Sequence, residues 1–335
     1  MSSNKLAVDV ANLAAYTPDQ TAELISRTGV KKGNMRLDRV FLSAVSAGCL
    51  LSFGCAVSLT ALAAPWYQEN APGVIKLFAA SVFPLGLVLV VLTGADLFTA
   101  TTMVSWVYFT MVSVLHGRLT ARKMLLHWVL CFFGNLAGSL FTMAIIFGYG
   151  GVFDASPFKE TVQAFVTKKQ VKPEMYQIFL RAIGCNWLVC LAIFLGTAAK
   201  DMGSKVIGLW FPVFAFVSLG LDHVVANMFF IPLGIWLHTP HLDVGLYIWK
   251  GIIPATLGNV LGGGLFCGVY YWYMYLLSAD PIKVDGAEYQ GPVVGVHHTH
   301  SHTHLNFLEF RRKSSAAMTT DEESRIESRQ NSHSH

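Results

Sequence analysis

The chain has 335 residues, 53% hydrophobic and only 13% charged, with a formal net charge of +4 and a mean hydropathy of +0.49. A soluble domain carries about 25% charged residues, so this composition excludes a soluble multidomain protein and identifies an integral membrane protein. No long basic stripe or zinc-finger spacing suggests a nucleic-acid partner. The six cysteines, Cys49, Cys55, Cys131, Cys185, Cys190 and Cys267, all lie inside apolar segments. They read as small buried hydrophobes and give no disulfide framework.

In chain order, the first segment (1–39) opens with a stretch, Met1 to Gln20, that is polar and mixed in charge. It lacks the basic start and apolar core of a cleaved signal peptide, so the first span is expected to do the targeting. Within it, Pro18 to Val30 predicts a short amphipathic helix that lies on the membrane or caps a partner subunit. The transporter domain is expected over 40–277, in six apolar regions: 40–65, 74–115, 124–149, 178–199, 206–236 and 251–277. Each meets the requirement of about 20 residues for a bilayer core of about 30 Å. Two are too long for one straight span and are interrupted, one at Gly94-Ala95-Asp96 and the other at Gly220-Leu221-Asp222. A mid-membrane aspartate is costly unless it faces protein or water, and unwound backbone is tolerated there only under the same condition. Both regions are therefore predicted to be broken helices. The segment 278–335 is polar and rich in Ser, His and charge near its end, and is expected to be a disordered cytoplasmic tail.

Basic residues occupy alternate loops: Lys31, Lys32, Arg36 and Arg39; Arg118, Arg122 and Lys123; Lys200 and Lys205; Arg311, Arg312 and Lys313. This predicts both termini in the cytoplasm. Lys159, Lys168, Lys169 and Lys172 fall on the outer side, an excess that calls for a reason other than topology.

The two halves repeat each other. Gly94-Ala95-Asp96 is followed by Gly134-Asn135-Leu136-Ala137-Gly138, and Gly220-Leu221-Asp222 by Gly258-Asn259-Val260-Leu261-Gly262. Three spans per half is an odd number, so the second half must cross the membrane in the opposite sense. Inverted repeats with paired interruptions are a transporter plan whose pathway lies at the repeat interface. The predicted fold class is an all-α membrane protein of six transmembrane helices, built as 3+3 inverted repeats with two broken helices. The four repeat glycines are expected to serve close helix packing.

These residues resemble the formate–nitrite transporter family over most of 18–277. The resemblance rests on Gly94-Ala95-Asp96-Leu97-Phe98-Thr99, on Cys185-Asn186-Trp187-Leu188-Val189-Cys190-Leu191-Ala192, and on Asp222-His223-Val224-Val225-Ala226-Asn227-Met228-Phe229 with Ile231-Pro232. Ile253-Pro254-Ala255-Thr256-Leu257-Gly258-Asn259 adds to it, as do Ala22-Glu23-Leu24 and Gly29-Val30-Lys31-Lys32. The resemblance implies an aquaporin-like fold, a homopentamer with one pore per subunit, and passage of small monovalent anions such as formate, nitrite, hydrosulfide and lactate, often with a proton. The polar tail and loops resemble the protozoan branch of proton-coupled lactate exporters.

His223 adjoins Asp222 at a mid-membrane break. An imidazole there can hold or release a proton near neutral pH and donate a hydrogen bond to a passing carboxylate. Thr99 sits at the opposing break, where the resemblance implies contact with substrate and histidine; a hydroxyl bonded to nearby backbone is the alternative. By the resemblance, Phe216 belongs to an apolar constriction, with Leu97, Phe98 and Val189 as further candidates, and Asn186 helps hold the loop. Asn135 and Asn259 are expected to join helices. A cationic vestibule would concentrate anions. The family's vestibule lysine maps by spacing from Asn186 onto Gln170, which leaves Lys169, Lys172, Lys31 and Lys32 as candidates.

The function expected is proton-coupled transport of small monocarboxylates and related monovalent anions. The alternatives are an aquaporin-like channel for neutral solutes and a membrane scaffold acting through its tail. No metal-ligand triplet or nucleophile–base pair lies within the spans, so neither an enzyme nor a cofactor is expected. His297, His298, His300, His302 and His304 are expected to be ordinary tail.

Overall fold

The computed structural model describes residues 15–99, 110–277 and 281–291. Among these, six helices are long and apolar enough to cross a membrane. The elements are α1 (Pro18–Gly33), α2 (Leu37–Leu62), α3 (Pro72–Thr93) and α4 (Ala121–Gly148). They continue with α5 (Phe158–Val166), α6 (Met175–Ala198), α7 (Met202–Leu219), the shorter α8 (Val224–Trp236) and α9 (Val244–Tyr275).

Helices α3 and α7 stop where the glycines permit it. Gly94 and Gly220 have φ of 73° and 75°, the left-handed conformation that glycine adopts without the Cβ clash. In both cases the helix ends in a matching pair of bonds. The Gly94 and Ala95 amides donate to Val91 and Val90 carbonyls, and the Gly220 and Leu221 amides to Val217 and Phe216 carbonyls. This arrangement satisfies carbonyls that a helix end leaves orphaned. The predicted breaks stand at the predicted residues. Part of the second predicted region, residues 100–109, lies outside the described residues.

The repeat glycines are contact points between helices. In the first half α4 presses on α2: a Cβ on Gly138 would lie 2.0 Å from the Val45 carbonyl oxygen, and one on Gly134 2.6 Å from Ala44 Cβ. In the second half α9 presses on α6: a Cβ on Gly262 would lie 2.2 Å from the Ile183 carbonyl oxygen, and one on Gly258 2.4 Å from that of Phe179. At Gly138 and Gly262 the obstacle is backbone, which cannot swing aside. Gly138→Ala and Gly262→Ala are therefore each expected to destabilise the detergent-solubilised protein by about 1–3 kcal/mol, the usual cost of overpacking. A fall in the thermal midpoint checks this; an unchanged midpoint in both variants would show that the seams are loose.

Helix α1 packs on its own chain. Its start is fixed by a Thr17–Gln20 capping box, and its buried Glu23 pairs with Arg27 at 2.8 Å and Arg118 at 2.9 Å. The segment that follows the last span, predicted as tail, meets α1 at its beginning. Arg27 donates to the carbonyls of Ile282 (3.2 Å) and Ala287 (3.1 Å), the Tyr16 hydroxyl donates to Asp285 at 2.7 Å, and Arg118 lies 4.0 Å from the Tyr289 ring centroid. Residues 281–291 thus lie along α1 because its polar face offers them donors. The remainder of the predicted tail, with its histidines, lies outside the described residues.

Candidate functional site

Each half contributes an extended segment held in the same way by an asparagine. In the first half, Asn135 Nδ2 donates to the carbonyls of Ala44 (2.7 Å) and Asp96 (2.9 Å), and its Oδ1 accepts from the Phe98 amide at 2.5 Å. In the second, Asn259 Nδ2 donates to Ala182 (2.8 Å) and Asp222 (2.9 Å), and its Oδ1 accepts from the Val224 amide at 2.9 Å. A side-chain amide offers two donors and an acceptor, which suits backbone that has left its helix and has no water to bond. The expected role of both asparagines in joining helices holds. Asn186 donates to the Asn259 carbonyl at 2.7 Å. It supports the clamp from one step behind.

The two aspartates are also matched. Asp96 pairs with Lys32 at 2.6 Å, and that ammonium also donates to the Gly94 carbonyl at 2.9 Å. Asp222 pairs with Lys169 at 3.1 Å, and that ammonium donates to the Leu221 carbonyl at 2.9 Å. Both carboxylates are fully buried and so require such partners. Of the four candidate lysines, Lys32 and Lys169, one per half, pair with the buried aspartates, while Lys31 and Lys172 are exposed. Gln170, where sequence spacing pointed, is buried. The offset of one residue falls in a π-helical turn, Thr167–Val171, the geometry by which a helix accommodates one additional residue.

The halves differ at their centres. By the register of the asparagine clamps, His223 stands where the first half has Leu97. Its Nδ1 accepts from the Ala226 amide at 3.0 Å, so the imidazole is the N-cap of α8. Because Nδ1 accepts, the ring hydrogen is on Nε2. Nε2 meets the Thr99 hydroxyl from the opposite broken segment. The Phe216 ring stacks on the imidazole with centroids 5.8 Å apart and planes at 13°. The sequence-predicted His223, Thr99, Phe216 and Asp222 are thereby brought together.

One cavity reaches this centre, and a second of similar size lies at the Gly94 break. One, of about 410 Å³, is lined by His223, Phe216, Phe230, Lys76, Lys169 and Arg181 among others. The other, of about 440 Å³, is lined by Thr28, Lys32, Val91, Gly94, Lys205 and Leu209 among others. They share no lining residue. Leu97, Phe98, Thr99 and Val189 line neither and are 0–3% exposed. Phe98 packs edge-on against Phe132 at 5.0 Å. The excess of outer lysines predicted from the loops is partly accounted for, since Lys168 and Lys169 both face the first cavity.

Sequence reasoning missed Arg181 and Phe83. Arg181 pairs with Asp222 at 2.7 Å, and Phe83 meets Phe216 edge-on at 5.8 Å. A signal existed for the first: Arg181 is the single charged residue in the apolar run 178–199, and an intramembrane cation is by itself a functional candidate. Phe83 had none, being one of 23 phenylalanines. Among the described residues no group of three or more metal-ligating side chains assembles.

The sequence profile of the formate/nitrite transporter family matches residues 19–273. A probable formate transporter of Methanothermobacter thermautotrophicus is 34% identical over 78% of this chain and 97% of its own length. The formate channel BtFdhC of Bacillus thuringiensis is 32% identical over 81% and 100%. Formate-nitrite transporter 3 of Toxoplasma gondii is 33% identical over 78% and 52%. Among solved structures, a pentameric formate channel with formate bound is similar at a TM-score of 0.62 and 30% identity, covering 72% of this chain and 98% of that one. The mirrored breaks, their asparagine clamps and these likenesses agree: the chain is an integral multi-pass membrane protein and belongs to the formate/nitrite transporter family, a family of transporters rather than enzymes.

Proposed function

We propose that this chain carries small monovalent anions, formate foremost and with it nitrite, lactate and similar monocarboxylates, together with a proton, through a pathway in each subunit of a homopentamer. The observation that carries the reading is the Thr99–His223 pair, a buried polar contact between two broken helices with a cation-bearing cavity lined by His223 beside it. Lysines and arginine at a mouth raise the local concentration of anions. The buried seam of Leu97, Phe98 and Val189 opposes a bare charge, which is far costlier to desolvate than its neutral acid. The anion accordingly crosses after gaining a proton, with the His223 Nε2–H and the Thr99 hydroxyl serving as hydrogen-bond partners for the acid.

The pentameric formate channel of similar fold supports the assembly. The basic loops favour cytoplasmic termini in a plasma membrane, with the Lys169 cavity facing outward. Reconstituted protein is expected to take up labelled formate, nitrite and lactate faster than protein-free vesicles, and faster still as the external pH is lowered. Glycerol and water flux without any anion uptake would overturn this in favour of a neutral-solute channel.

A further inference from the structure

The cavity beside Lys169 is larger than formate requires and has two kinds of wall. Its volume of about 410 Å³ falls in the class of about 300–1,000 Å³ that buries drug-sized ligands. Four phenyl rings form one continuous wall: Phe165 meets Phe230 at 4.8 Å, Phe230 meets Phe83 at 6.4 Å, and Phe83 meets Phe216 at 5.8 Å. All four line the cavity. So do Lys76, Lys168, Lys169 and Arg181, and no carboxylate is among the described lining residues. Asp222 is shared between Lys169 and Arg181, whereas Asp96 in the other half meets Lys32. The charge balance around this cavity is therefore cationic. Arg181 also keeps Nη2 buried with no hydrogen-bond partner among the described residues, although a buried guanidinium donor is costly to leave unmade.

We propose that this cavity is a binding site for amphipathic monovalent anions, whose acid group sits on Arg181 and Lys169 and whose aryl or short alkyl body lies along Phe83, Phe165, Phe216 and Phe230. The proposal rests on the anion-transport reading and extends it. Planar bidentate donation makes arginine suited to a carboxylate or sulfonate, and the apolar body adds the burial energy that formate lacks. A ligand that stays charged cannot follow the neutral-acid route through the buried seam, so it remains in the cavity as a blocker.

The probes are benzenesulfonate and methanesulfonate, which share a permanently charged head and differ in the body. Labelled formate flux into vesicles containing the full chain is measured with each sulfonate applied to either face. Benzenesulfonate is expected to half-inhibit at a concentration at least about tenfold below that of methanesulfonate, and from one face only. Phe165→Ala with Phe230→Ala should erase that advantage, and Arg181→Gln should weaken both sulfonates. Equal potency of the two sulfonates on the wild-type protein, with formate flux intact, would overturn the site while leaving the transport reading standing. Absence of formate flux would count against transport instead. The site is then decided by equilibrium binding of benzenesulfonate to the solubilised wild-type chain, where binding no tighter than methanesulfonate overturns it.

Discussion

Replacing His223 by Phe is expected to cut formate flux by about 5- to 150-fold, while leaving the protein folded. The imidazole has two jobs. Its Nδ1 caps α8 through the Ala226 amide, and its Nε2–H faces Thr99 at the seam between the halves. Losing an N-cap costs about 0.5–2 kcal/mol of stability, which a protein whose broken segments are clamped by Asn135 and Asn259 can withstand. Losing the polar contact at the seam leaves the passing acid without a donor in an apolar setting. Leaving a buried polar group unsatisfied costs about 1–3 kcal/mol, and each 1.36 kcal/mol is tenfold in rate. His223→Asn is the informative companion, since its side-chain carbonyl can cap the helix but its shorter reach does not span to Thr99. It should recover stability without recovering flux. If both variants carry formate at the wild-type rate, the pathway does not run beside the imidazole.

The second large effect is structural. Asn259→Leu strips the partner from the Val224 amide and from the Ala182 and Asp222 carbonyls at once. The Val224 amide and the Asp222 carbonyl are then buried without water, each orphan costing about 1–3 kcal/mol, while the Ala182 carbonyl keeps only its bond within α6. The sum is a large share of the whole stability of an ordinary domain, about 5–15 kcal/mol. The expected outcome is little or no monodisperse protein by size exclusion after solubilisation. Asn135→Leu should behave alike, because its three bonds fall on the matching residues Phe98, Ala44 and Asp96. Wild-type yield and thermal midpoint for either variant would mean that the broken segments hold themselves without the clamp.

Much of this was written into short sequence patterns. A glycine–x–aspartate inside an apolar run cannot continue as buried helix without a compensating partner, so both breaks were legible at Gly94 and Gly220. The Gly–Asn–x–x–Gly repeat marked the helices that press close, and the structure puts its asparagines on the broken segments. What stayed hidden depends on three-dimensional register. No local pattern announces that a histidine will cap a helix, because Ser, Thr, Asp and Asn usually do so. The choice of Lys169 over Gln170 turns on a π-helical turn, and a shift of one residue is beyond what periodicity resolves. Arg181 was visible as a solitary charge in an apolar span, yet its value follows only from meeting Asp222 across the fold. The seating of residues 281–291 on α1 was hidden for a similar reason: their composition is polar, and order there comes from donors supplied by Tyr16, Gln20 and Arg27 more than 250 residues earlier.

The most direct test records labelled formate entry and internal pH together in vesicles containing the wild-type chain, beside protein-free vesicles and His223→Phe. The account predicts saturable formate entry accompanied by an equal number of protons, present with the wild-type chain and lost with the phenylalanine. Formate entry that moves charge without protons, or that never exceeds the protein-free rate, would contradict it.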